Sequence, residues 1–207
     1  MNNSTLIKIS KIVSLIFHPA IIIVYLLLAL LFGNTYLNSG SASLRLRIIL
    51  TLHIALLTVI LPILIIQIYK ACEKYFNIKF LHNYKRHASL LIVAICYIMV
   101  MFITMPVLGT YFAQKLFLTT AVILTMANAI TLITPLSLHM LALSIATTML
   151  WTLHFFGYGQ LMTFALIAIF ISGLVASSRL MLQKSSLSEI SYSYLIGVLA
   201  MLLLLFI

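Results

Sequence analysis

The stretch LFLTTAVILTMANAITLITPLSLHMLALSIATTMLWTLHFFGYGQLMTFALIAIFISGLVASS, Leu116–Ser178, contains no Lys, Arg, Asp or Glu. It has room for about three segments of roughly 20 residues, each long enough to cross the hydrocarbon layer of a bilayer. A helix in water pairs an apolar stripe with a charged face. Here no face can be charged, so the stretch reads as helices whose solvent is lipid. Residues 115–156 would extend about 63 Å as one helix, too far for a single crossing. The chain must therefore reverse within them, and Thr134-Pro135-Leu136-Ser137 carries the residues for it. Proline suits the start of a helix, and the Ser137 hydroxyl can cap the first turn.

The same composition holds outward from this core. Of 207 residues, 64% are hydrophobic and 7% charged; Asp is absent and the Glu residues are Glu73 and Glu189. A soluble domain could not hide so much apolar side chain. Lys8 and Lys11 precede an apolar stretch from Ile12 to Phe32. That stretch exceeds the ~7–15 residues of a secretory h-region and has no A-x-A-like cleavage site, so it reads as a retained first span. Cys96 lies in an apolar segment and Cys72 in a basic loop, which argues against a disulfide between them. No polar linker or internal repeat divides the chain. The expectation is a single transmembrane domain over residues 1–207, an all-α polytopic bundle of six to seven spans. The spans fall near 12–33, 48–69, 89–109, 115–134, 136–156, 159–178 and 190–207.

Alternation of these spans gathers the N-terminus, the loop 70–88, the turn near 135 and the loop 179–189 on one side. That side holds Lys8, Lys11, Lys70, Lys74, Lys79, Lys85, Arg86, Arg179 and Lys184; the other holds Arg45, Arg47 and Lys115. The positive-inside rule makes the basic side, with the N-terminus, cytoplasmic, in a multi-pass protein of a bacterial inner membrane. The loop 70–88 interleaves cations with Tyr75, Phe76, Phe80 and Tyr84, a mixture suited to the lipid headgroup layer. Nucleic acid is not expected as a partner, because cations in short juxtamembrane loops are ordinary topology determinants.

Topology also collects the few groups able to do chemistry. Lys79, Arg86, Ser137-Leu138-His139, Ser178-Arg179, Ser185 and Glu189 all fall on the basic side. Guanidinium forks, an ammonium, an imidazole and a helix N-terminus together suit a phosphate group. These residues resemble the type 2 phosphatidic acid phosphatases, membrane relatives of the vanadium haloperoxidases, whose motifs are K-x6-R-P, P-S-G-H and S-R-x5-H-x3-D. Lys79-x6-Arg86 keeps the cations and spacing of the first motif. Ser137-Leu138-His139 is similar to the second, and Ser178-Arg179-x5-Ser185-x3-Glu189 keeps the start and spacing of the third. The resemblance covers residues 79–200. It implies that Lys79, Arg86, Ser137 and Arg179 bind phosphate, that His139 is the acid, and that the ligand is a lipid phosphate or diphosphate.

The departures bear on activity. Ser185 stands where the resemblance calls for a nucleophilic histidine, and Glu189 where an aspartate orients it. His87 follows Arg86 in place of proline, and Pro135 lies one residue too far from Ser137. A serine without a base is a poor nucleophile and cannot form phosphohistidine. The expectation is therefore a phosphatase-like protein with a degenerate site, a pseudoenzyme for the standard reaction. The alternative is a non-enzymatic membrane subunit that keeps the fold and assembles with a membrane protein or with itself. A transporter would need a buried acid or base pair that the sequence does not offer.

His18, His53, His139 and His154 raise haem ligation, which requires imidazoles facing each other at one depth. The sequence establishes no such pair, and neither a cofactor nor a metal is expected. Taken singly, Lys79, Arg86 and Arg179 read as topology anchors, and Ser185 and Glu189 as only the beginning of the last span.

The topology generates a labelling pattern. Cysteines at Lys74 and Lys184 should react from the N-terminal side of the membrane and a cysteine at Arg45 from the other. Equal labelling of all three from one side would overturn the arrangement.

Overall fold

The computed structural model describes residues 3–33, 44–76, 85–108, 111–132 and 134–206, and every helix or strand among them is helical. The helices are α1 (Asn3–Ile16), α2 (Pro19–Phe32), α3 (Leu44–Ala55), α4 (Leu61–Phe76), α5 (Lys85–Leu108), α6 (Tyr111–Ile130), α7 (Leu138–Phe155), α8 (Met162–Met181) and α9 (Leu187–Phe206), with a π-helical turn, Leu56–Ile60, joining α3 to α4. Among the described residues, Arg47–Ile68, Leu138–Phe155 and Met162–Met181 are long and apolar enough to cross a membrane. The α1–α2 pair makes a fourth if its two halves count as one broken span.

That pair differs from the single span expected at 12–33. The helix begins earlier, and it bends by 60° between Ile16 and Pro19. The cause is local. Proline has no N–H, and its ring drives the preceding residue out of the α region. His18 accordingly is extended, with φ −64° and ψ 140°, and caps α2 through its own side chain, which accepts from the Ala20 N–H. Pro62 has a milder effect. Its ring would press on the carbonyl of Thr58, and the π turn just before it, closed by Leu61 N–H to the Leu56 carbonyl, widens the helix there.

Contacts divide the chain into two compact units, residues 1–51 with 135–207, and residues 52–134. In the first, α7 is the central element. Nearly all of its side chains from Met140 to Leu153 are buried, and α2, α8 and α9 pack on it, while α1 packs on α8. On α2, Ile22, Ile23, Leu26, Leu27, Leu30 and Leu31 form the buried stripe. The opposite faces remain apolar: Leu166, Ile167, Phe170, Leu195 and Leu199 are exposed large hydrophobics. This is the inverse of a water-facing surface and matches a lipid-facing one.

Hydroxyls buried in α7 bond within their own helix. Ser144 Oγ donates to the Leu141 carbonyl at 2.7 Å and Thr152 Oγ1 to the Thr148 carbonyl at 2.7 Å. Thr147 Oγ1 also meets the Tyr194 hydroxyl of α9 at 3.1 Å. Where these two helices cross, Gly197 allows the closest approach. A Cβ there would overlap Ser144 Oγ and stand 3.1 Å from the Leu141 carbonyl oxygen.

In the second unit, α5 and α6 pack along each other. Tyr97 meets Phe117 with ring centroids 6.4 Å apart. Near the start of α5, His87 Nδ1 lies 2.7 Å from Asn128 Oδ1, and Asn128 Nδ2 donates back to the His87 carbonyl at 3.4 Å. The reciprocal pair orients the amide, with its oxygen toward the imidazole N–H.

The Gly197 crossing yields a stability prediction. Gly197→Ala should destabilise the solubilised protein by about 1–3 kcal/mol through overpacking. Adding Ser144→Ala, which removes the overlapping hydroxyl, should recover part of that loss. A double-mutant cycle by thermal unfolding in detergent checks it, and strict additivity would show that the two positions do not meet.

Candidate functional site

Five of the seven expected site positions lie in the first unit: Ser137 and His139 at the start of α7, Arg179 in the last turn of α8, Ser185 in the connection that follows, and Glu189 in the first turn of α9. Arg86 lies in the first turn of α5, in the second unit, and its side chain is outside the described residues. Lys79 falls within 77–84, also outside them.

The α8–α9 connection is built to keep Arg179 and Ser185 together. Gln183 takes a left-handed conformation, φ 51°, which closes α8 through Gln183 N–H to the Leu180 carbonyl and Lys184 N–H to the Arg179 carbonyl. The chain then folds back, so that Arg179 Nη2 donates to Ser185 Oγ at 3.2 Å and to the Lys184 carbonyl at 3.4 Å. Ser185 Oγ in turn donates to the Lys184 carbonyl at 2.9 Å. Ser185 thus spends its proton on the backbone. Ser186-Leu187-Ser188-Glu189 has capping-box spacing, and Ser186 Oγ accepts the Glu189 N–H at 3.2 Å, so Glu189 has a local role in starting α9.

Ser193, one turn further along α9, joins the two motif regions. Its buried hydroxyl donates to the Glu189 carbonyl at 2.5 Å and accepts the Ser137 N–H at 2.7 Å. Ser137 occupies the N-cap position of α7, but its hydroxyl makes no capping bond. The residue is 2% exposed, and among the described residues Ser137 Oγ has no hydrogen-bond partner. A buried hydroxyl in that condition costs about 1–3 kcal/mol relative to a bonded one.

His139 is half-buried and held from the N-terminal helix. Its Nε2 lies 3.2 Å from the Ser14 carbonyl oxygen and 3.4 Å from Ser14 Oγ. A carbonyl only accepts, so Nε2 carries the proton, and Nδ1 is the ring atom left to exchange one. Arg179, Lys184 and His18 all lie within electrostatic range of this ring. The His18 and His139 rings meet edge to face, with centroids 5.8 Å apart. Ser10 of α1 adds a further tie, donating to Met181 Sδ at 3.6 Å.

Sequence reasoning did not assign Ser14, His18 or Ser193 to this place. His18-Pro19 carried a readable signal of a helix break, whereas nothing local distinguishes Ser14 and Ser193 from the chain's other serines. Among the described residues, no three His, Cys, Asp or Glu side chains gather as a metal-binding group would require. No protein-family model, curated protein or solved structure matches the chain.

Two serines should respond oppositely to truncation. Ser193→Ala, which strands the Ser137 N–H, should lower stability by about 1–3 kcal/mol. Ser137→Ala, which removes an unsatisfied hydroxyl and no cap, should leave stability unchanged or raise it by about 1 kcal/mol. Thermal unfolding in detergent measures both, and a comparable loss from Ser137→Ala would show that its hydroxyl is bonded.

Proposed function

We propose that this chain is an integral membrane protein of the type 2 phosphatidic acid phosphatase kind that holds a lipid phosphate or diphosphate at a basic face without hydrolysing it through phosphohistidine. The observation that carries the reading is the meeting of Arg179 with Ser185 at 3.2 Å, with His139 in electrostatic range of Arg179 and Lys184. These residues come from two of the three motif-like segments. Arg179 and Lys184 both act electrostatically on the imidazole, the net charge of the chain is +10, and His139 lies two residues after Ser137, whose buried hydroxyl has no hydrogen-bond partner among the described residues. Anionic oxygen is the ligand chemistry that such donors suit.

The membrane arrangement proposed with it has six to seven spans. The shorter apolar helices Leu90–Ile103, Leu116–Ile130 and Leu187–Leu203 supply crossings beyond the longer ones. The nine-to-three division of Lys and Arg supports a cytoplasmic N-terminus and basic face, in a bacterial inner membrane. For Lys79 and Arg86, phosphate binding rests on the motif resemblance alone.

Ser185 limits the chemistry. Its hydroxyl donates to a carbonyl and accepts from a guanidinium, so no neighbouring base takes its proton. If turnover occurs, His139 serves as the acid through Nδ1, and the attacking group comes from elsewhere. The same Ser185 favours the second reading, a non-catalytic subunit that uses the site only to grip lipid and its helix surfaces to assemble with a membrane partner or with itself.

Phosphate release from phosphatidate and from a polyprenyl diphosphate tests the proposal. Wild type should release little or none, and Ser185→His should restore measurable turnover by returning an imidazole beside Arg179. Robust wild-type turnover abolished by His139→Ala would overturn the non-hydrolytic reading.

A further inference from the structure

The two histidines that meet at 5.8 Å are held in different ways, and the difference assigns them different work. His18 sits in the break between α1 and α2, where Pro19 begins the second helix. The first N–H groups of a helix have no intrahelical acceptor, and His18 Nδ1 takes one of them, the Ala20 N–H at 3.3 Å. A ring nitrogen that accepts carries no proton, so neutral His18 has its proton on Nε2. His139 has its Nε2 proton on the Ser14 carbonyl and keeps Nδ1 as its exchanging atom. One imidazole of the pair is thus a fixed N–H donor and the other a proton-exchanging ring.

The surroundings are cationic. Arg179 and Lys184 are in electrostatic range of His139, and Ser137 Oγ, at the entry to α7, is buried without a partner among the described residues. Within this unit, residues 1–51 and 135–207, Glu189 is the single carboxylate side chain in the sequence. A neutral N–H donor beside such cations binds a phosphoryl oxygen without adding repulsion among the cations themselves.

The geometry points to His18 as a phosphate-binding residue of this site, donating through Nε2–H to the phosphoryl group that Arg179 and Ser137 also hold. The assignment rests on the phosphate-binding reading and deepens it by adding a ligand residue outside every motif-like segment. It also gives His18 a definite limit. With Nδ1 engaged by the Ala20 N–H, Nε2 has no lone pair for attack on phosphorus, so His18 binds and does not substitute for the imidazole absent at Ser185.

The experiment uses the full chain in neutral detergent, titrated with dihexanoyl phosphatidate and, separately, with inorganic phosphate. Calorimetry reads binding, and nitrogen-15 NMR of labelled histidine reads the protonation of each ring nitrogen. The informative variant is His18→Asn, because asparagine retains an oxygen to cap the Ala20 N–H but lacks the reach of Nε2. Expected are a proton on His18 Nε2 before titration, a shift of that resonance with phosphatidate, and tenfold or greater weakening in His18→Asn at unchanged melting temperature. The same shift with inorganic phosphate would also support the assignment and would make the phosphoryl group, not the glyceride, the recognised part. Phosphatidate binding to His18→Asn within twofold of wild type, while Arg179→Gln abolishes it, would overturn the role of His18 and leave the phosphate reading standing. Failure of wild type to bind either probe would overturn both.

Discussion

Helix α7 can be buried only if every polar group it carries is bonded inside the protein, and the first unit is arranged around that requirement. In an apolar surrounding no water repairs an unpaired donor. Ser144 and Thr152 therefore return their protons to carbonyls of the same helix, and Thr147 is shared with Tyr194. The entry to α7 cannot be settled in this way, because a helix start has N–H groups without intrahelical acceptors. Ser193 answers for the Ser137 N–H from α9. The tie fixes the start of α7 against the start of α9, and the candidate site is built upon that junction.

The exception is informative because the rest is so well paired. Ser137 Oγ, one residue before α7, is buried beside a region rich in cations and poor in carboxylates. Alanine there would avoid the cost of an unbonded buried hydroxyl. The α8–α9 connection shows the same preference for local geometry over comfort. Gln183 accepts a left-handed backbone, which L-residues other than glycine and asparagine adopt at a cost, and the turn it makes brings Arg179 to Ser185.

The sequence offered the candidate site as residue types in order rather than as geometry. Ser137, His139, Arg179 and Ser185 were singled out from spacing, and the fold draws His139 within electrostatic range of Arg179. Glu189, read from the sequence as a degenerate motif position, also belongs to a capping sequence with Ser186 that starts α9. Ser14 was invisible because its part is played by a backbone carbonyl, which every residue possesses.

The sequence by itself determined that the chain is helical and that its helices turn apolar faces outward, because solvation and helix formation depend on residues within a turn or two of each other. It also carried the reversal near Thr134-Pro135-Leu136-Ser137, whereas the break at His18-Pro19 fell inside what the sequence reads as one span. Only the tertiary structure decided that Ser14 would hold His139 across 125 positions, that His18 would meet the same ring, and that Ser193 would take the Ser137 N–H across 56. These pairings depend on the rotation of each helix about its axis and its depth against its neighbours. Both are set by the packing of all the helices at once, including the close crossing that Gly197 permits against Ser144, and no local pattern records them.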